Sequence, residues 1–202
     1  MRREGIVSLP AGGYGSFLKR IIGGKVKSVF VLLLTLCAVI SMQGQTQKAQ
    51  TLRDTLLESL RTTHNQKDWF VPVSLAVEGV TAEQAQWQDK SGNHSIGQLT
   101  NHLAFWNSQV LAKLKGEKTP AYDGNNEETF NSFDSKTWND TVKRLDTVLT
   151  DLEKLVKGAD ETKLTEWAST VDHVATHNAY HTGQIIYIRR LQGSWDPSKG
   201  VK

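Results

Sequence analysis

WNDTVKRLDTVLTDLEKLV, residues 138–156, sets apolar side chains at Trp138, Val142, Leu145, Leu149, Leu152 and Val156. Steps of 4, 3, 4, 3 and 4 hold one face of an α-helix apolar while charged and hydroxylated residues fill the other. The seam predicts a helix from about Ser135 to Lys157, ended by Gly158. A stripe of this kind buries itself only against other helices.

On either side the same period recurs. Upstream, Ser95-Ile-Gly-Gln98 has capping-box spacing and opens a helix through Ile96, Leu99, Leu103, Trp106, Val110 and Leu114, with Gly116 as its stop. Thr81-Ala-Glu-Gln84 is another such box, ahead of a short turn of helix. Leu52, Leu56, Leu57 and Leu60 form a helical stripe within residues 50–78, and Pro72 kinks or restarts that helix near Trp69–Val71. Downstream, a last helix runs from about Ser169 to Gln192 and stops at Gly193. Residues 116–134 are polar, contain Pro120 and Gly124, and read as a loop. No window alternates like a strand. The expected architecture is all-α, a four-helix bundle over residues 45–202.

Composition narrows the function. Of 202 residues, 38% are hydrophobic and four are proline, which excludes a disordered or collagen-like chain. The single cysteine, Cys37, excludes a disulfide framework and a cysteine-built zinc site. The net charge of +3 is local: residues 1–44 carry six Lys/Arg against Glu4, leaving 18 basic and 20 acidic residues beyond. That mildly acidic body lacks the footprint of a nucleic-acid binder.

The basic segment reads as an address. Lys25 and Lys27 precede an apolar run from Val29 to Ile40, followed by Ser41, Met42, Gln43 and Gly44, the pattern of a secretory signal peptide. The run is shorter than the ~20 residues of a bilayer-spanning helix. Residues 1–44 are therefore expected to be a targeting segment, cleaved after Ser41 or Gly44, with translation starting near Val26. An uncleaved N-terminal membrane anchor is the alternative. The protein is expected to be exported, periplasmic or secreted, with no cysteine left after cleavage, in keeping with an oxidising compartment.

Six histidines carry the chemistry: His64, His94, His102, His173, His177 and His181. On the last helix the stripe Val174, His177, His181, Ile185, Ile188 puts two imidazoles, i and i+4, where core residues belong. His102 lies three after Leu99 and four before Trp106, also on a core face. Two readings are open. Each imidazole is a packed core residue, or the three form a nitrogen site that leaves a coordination position free, the pattern of catalytic zinc. His173 reads as a surface or supporting residue, His94 as part of the capping region, and His64 as solvated. Gln184 is placed to orient a ligand. Gly183 is expected to permit close helix packing, and Tyr180 to pack between helices. Trp138, Trp167 and Trp195 read as core or lid residues. His64, His173 and Glu58 are candidates for a general base.

His94-Ser-Ile-Gly-Gln-Leu-Thr-Asn-His102-Leu-Ala-Phe-Trp106 resembles the second helix of the DinB-like superfamily. His177-Asn-Ala-Tyr-His181-Thr-Gly-Gln184-Ile resembles its HxxxH-x-GQ signature on the last helix. The placement of Trp69, Trp87 and Trp106 is similar to the branch of YfiT-like metal-dependent hydrolases. The resemblance spans roughly residues 50–197. It implies an antiparallel four-helix bundle and one divalent metal held by His102, His177 and His181. Zinc is the expected ion, with nickel or iron as alternatives. Some relatives activate a low-molecular-weight thiol for transfer or isomerisation; others are called hydrolases.

The expected function is a metal-dependent hydrolase or group transferase, thiol S-transferases included, acting on a small molecule. The alternative is a non-catalytic metal- or ligand-binding bundle. A homodimer is compatible with either, and membrane contact is expected only through an uncleaved signal.

Overall fold

The computed structural model describes residues 49–201; the expected targeting segment, residues 1–44, lies outside them. The described residues are helical, with no strand among them. Four long helices dominate: α1 (Leu52–His64), α4 (Ile96–Lys115), α6 (Trp138–Gly158) and α7 (Glu161–Leu191). Short helices α2 (Val73–Val77), α3 (Ala82–Gln86) and α5 (Glu128–Asn131) lie in the connections, with 3₁₀ turns at Ser135–Thr137 and Pro197–Lys199. Both α1 and α4 pack against both α6 and α7, so the four long helices enclose one core. None of the described helices is long and apolar enough to cross a membrane.

Helix starts follow the caps. Ser95 and Gln98 exchange side-chain and backbone hydrogen bonds at the head of α4, and Thr81 and Gln84 do so at the head of α3. Gly116 and Gly193 both adopt φ 71°, the left-handed turn that stops α4 and follows α7. Gly158 closes α6 without such a turn; the chain straightens at Ala159 and Asp160 at once caps α7. The last helix therefore begins at Glu161 rather than near Ser169, eight residues earlier than its periodicity suggests. Helix α1 ends at His64, well before Pro72, which instead caps α2.

The seam of α6 lies on the core as its spacing requires. Trp138, Leu145, Leu149, Leu152 and Val156 are buried and Val142 packs beside them. Polar anchors fix the helices to one another. Arg53 of α1 donates to the carbonyls of Val156, Lys157 and Ala159, taking up the free end of α6. Buried Arg189 of α7 donates to the carbonyls of Ala76, Glu78 and Ser194.

His64 is not solvated: it is 1% exposed, with Nδ1 2.7 Å from Glu153 and Nε2 3.0 Å from Asp146, both on α6. Beneath the candidate site Asn107 of α4 donates to Asn178 Oδ1 of α7 at 2.8 Å. Trp138 and Trp195 are buried and Trp167 packs on the core. Tyr180, by contrast, is 64% exposed and packs between no helices.

Close approach falls on a different glycine from the expected one. A Cβ built on Gly183 meets nothing within 4 Å, whereas one on Gly97 would lie 2.2 Å from ring carbons of Phe133. The Phe133 ring, held edge-on to Trp138, would have to swing out. We expect Gly97→Ala to lower the unfolding free energy by about 1–3 kcal/mol through overpacking. Gly183→Ala should raise it by up to about 1 kcal/mol, because alanine is the better helix former. Urea denaturation of the two variants checks both signs.

Candidate metal centre

His102, His177 and His181 come together between α4 and α7, with one ring nitrogen from each within 4.8 Å of the others. The ring centroids stand 4.6–5.1 Å apart, each pair edge to face. His102 and His181 are buried and His177 is half-buried. The i, i+4 spacing on α7 supplies two imidazoles on one face, and α4 brings the third opposite them.

Hydrogen bonds on the far side of two rings decide which nitrogen each offers. The Thr129 hydroxyl donates to the Asn126 carbonyl at 2.6 Å, so its oxygen is left to accept. His102 Nδ1–H donates to it at 2.6 Å. His181 Nδ1–H donates to Gln184 Oε1, also at 2.6 Å. Both rings thus carry their proton on Nδ1 and turn a bare Nε2 toward the centre. His102 Nε2 and His177 Nε2 face each other at 3.1 Å, a spacing that needs a proton or a cation between the two lone pairs.

Electrostatics favour the same state. Burial first, then the neighbouring His181 and His177, pushes His102 down to about 3. Burial and then His181 push His177 down to about 4. Burial also lowers His181, against the raising effect of its Gln184 bond. All three are neutral near pH 7, the form that donates a lone pair to a metal. Three neutral imidazoles, two with their tautomer fixed by a partner, fit a divalent ion.

The clamp on His102 comes from a segment that reads as plain loop. Helix α5 lies within residues 116–134 and carries both Thr129 and Phe130. Phe130 stacks on His102 at 3.8 Å, with the rings within 7° of parallel. His94 stacks parallel on the Phe130 ring at 3.9 Å, and therefore on the face away from His102. Asn101 of α4 ties α5 down by donating to the Thr129 carbonyl and the Ser132 hydroxyl, and Arg144 of α6 donates to Asn101.

A model of the DinB superfamily matches residues 73–185, more than half of the chain. The chain belongs to the DinB superfamily. No curated protein and no solved structure matches it. The matched span includes every residue of this DinB site named so far.

A cleft of about 570 Å³ opens on the three histidines, walled by Trp106, Val110, Phe130 and Val174, with His173 and Thr170 also on its lining. Trp106 and Val110 sit on the apolar stripe of α4 yet are only partly buried, because they face this cleft. Among the general-base candidates, only His173 lines it. His64 is held by Glu153 and Asp146, and Glu58 is exposed on α1. Gln184 orients His181, as its position suggested. Thr129 and Phe130 had no local signal beyond an apolar residue in a polar stretch.

Thr129→Val keeps the shape of the side chain but removes the acceptor from His102. It should lower Zn²⁺ affinity by about 10–100-fold, the usual effect of losing a partner that orients a ligand. Thr129→Ser should restore most of it. Competition against a chromophoric chelator measures both.

Proposed function

We propose that this DinB-superfamily protein binds one divalent metal through His102, His177 and His181 and acts as a metal-dependent hydrolase or group transferase on a small molecule. The observation that carries the reading is the open cleft on the exact face where the bare ring nitrogens converge. A structural metal site has no use for such a cleft. When bound, an ion held by three neutral imidazoles supplies a Lewis acid and an activated nucleophile at its open position.

The chain's own residues supply the rest. Thr129 and Gln184 keep the His102 and His181 protons on Nδ1 and so keep their Nε2 atoms facing inward. Phe130, stacked on His102, keeps water from one face of that ring. His173, on the lining, is the titratable side chain positioned to carry a proton to or from a bound molecule. We read the four long helices as the antiparallel four-helix bundle of the superfamily. We read residues 1–44 as a secretory signal that exports the domain to the periplasm or medium. The ion is most simply zinc, since three imidazoles and an open position are a zinc catalytic set; nickel and iron accept the same donors.

One observation favours a second reading, a bundle that binds metal or ligand without catalysis. Among the described residues no aspartate or glutamate lines the cleft, so of the candidate bases His173 is the one at hand.

Elemental analysis of the purified protein tests the metal. We expect about one equivalent per chain, lost in His102→Ala and in His177→Ala while both variants stay helical by circular dichroism. Absence of metal in the parent, even after refilling with Zn²⁺, Ni²⁺ and Fe²⁺, would show the histidines to be packing residues. Addition of the bound ion to stripped protein should also raise Tm, because it binds the folded state alone.

A further inference from the structure

The cleft wall carries charge information that the three histidines do not. Among the described residues, its lining includes no Asp, Glu, Lys or Arg. Trp106, Val110, Phe130 and Val174 supply its apolar part, and the polar remainder consists of neutral amides, a hydroxyl and imidazoles. The Trp106 indole is partly buried, its N–H engaged by Asn126 Oδ1 at 3.2 Å, and Tyr122 packs edge-on against it at 5.1 Å. The indole is therefore held in place before any ligand arrives.

Three imidazoles contribute no negative charge, so a divalent ion there keeps its full +2. The cleft lining contributes none either. An anionic donor is thus drawn to the ion, while among the described residues no Lys or Arg of the lining pairs a second negative charge carried on the ligand's body against the apolar wall. An ammonium group on the ligand would find no carboxylate partner, and burying it unpaired is costly. We propose, resting on the metal reading above, that the ligand has an anionic head at the metal and an uncharged, apolar body against Trp106 and Val110. Molecules whose body carries a second carboxylate or an ammonium are outside this class. A volume of about 570 Å³ accommodates a body of one ring with a short side chain.

The test uses the full-length protein loaded with Co²⁺, whose visible spectrum reports both metal occupancy and any donor that enters its coordination sphere. The probes are acetate, phenylacetate, 4-carboxyphenylacetate and benzylammonium. Phenylacetate should perturb the spectrum with a Kd at least tenfold lower than acetate. 4-Carboxyphenylacetate, with its second charge out on the ring, should bind more weakly than phenylacetate, and benzylammonium should leave the spectrum unchanged. Trp106→Ala should remove the advantage of phenylacetate while acetate binds as before. Val110→Lys, which adds a cation to the half-buried wall, should shift preference toward 4-carboxyphenylacetate and does not depend on how well the tryptophan variant folds.

Equal affinity for acetate and phenylacetate overturns the proposal, as does 4-carboxyphenylacetate binding more tightly than phenylacetate to the parent, or a spectral response to benzylammonium. Each of these requires that Co²⁺ is bound, so each leaves the metal reading standing. No Co²⁺ spectrum at all overturns both.

Discussion

Three imidazoles pressed together in an apolar interior are the constraint around which this chain is organised. Each ring has two nitrogens, and a buried polar atom without a partner costs about 1–3 kcal/mol. The chain answers at the outer nitrogens of two rings, where Thr129 and Gln184 each accept a hydrogen bond from Nδ1–H. The inner nitrogens are left crowded, with His102 and His177 at 3.1 Å. Burial and mutual repulsion keep the rings neutral. The arrangement spends stability on a cluster that packing alone would not select, which is the ordinary sign of a site.

The surrounding fold is shaped to hold that cluster. Below it, Asn107 and Asn178 join α4 to α7 through a buried amide pair in which Asn107 Oδ1 and Asn178 Nδ2 have no partner among the described residues. Beside it, α5 delivers Thr129 and Phe130 to His102 and is tethered to α4 and, through Asn101 and Arg144, to α6. At the far side of the core His64 links α1 to α6 through two carboxylates. The connection between α4 and α6 is thus part of the site's scaffold and not a simple linker.

Much of this was legible in the sequence because it is local. Capping boxes at Thr81 and Ser95, the stops at Gly116 and Gly193 and the seam of residues 138–156 are patterns within a few turns of chain, and each lies where its spacing put it. The three histidines were legible because the i, i+4 pair and His102 both interrupt apolar stripes. What escaped was either weakly periodic or non-local. The first turns of α7 are polar apart from Leu164 and Trp167, and only Asp160 as a cap marks its start.

His64 continues the stripe Leu56, Leu60 by one more step of four, a sign of burial read as solvation because the ring is polar. Its partners lie 82 and 89 residues away in sequence. Thr129 meets His102 across 27 residues, and no local pattern encodes that distance. Gly97 and Gly183 both sit in helices; which of them faces a ring is a matter of packing, and Phe133 decides it.

The central claim is that His102, His177 and His181 together hold one metal and leave a coordination position open. X-ray absorption at the zinc K-edge of the zinc-loaded protein tests it most directly. The account predicts three imidazole nitrogens at about 2.0–2.1 Å, with the multiple-scattering pattern of histidine, and one further light donor that added azide replaces. A shell with two or fewer imidazoles, or a fourth donor from the protein that azide leaves in place, would contradict it.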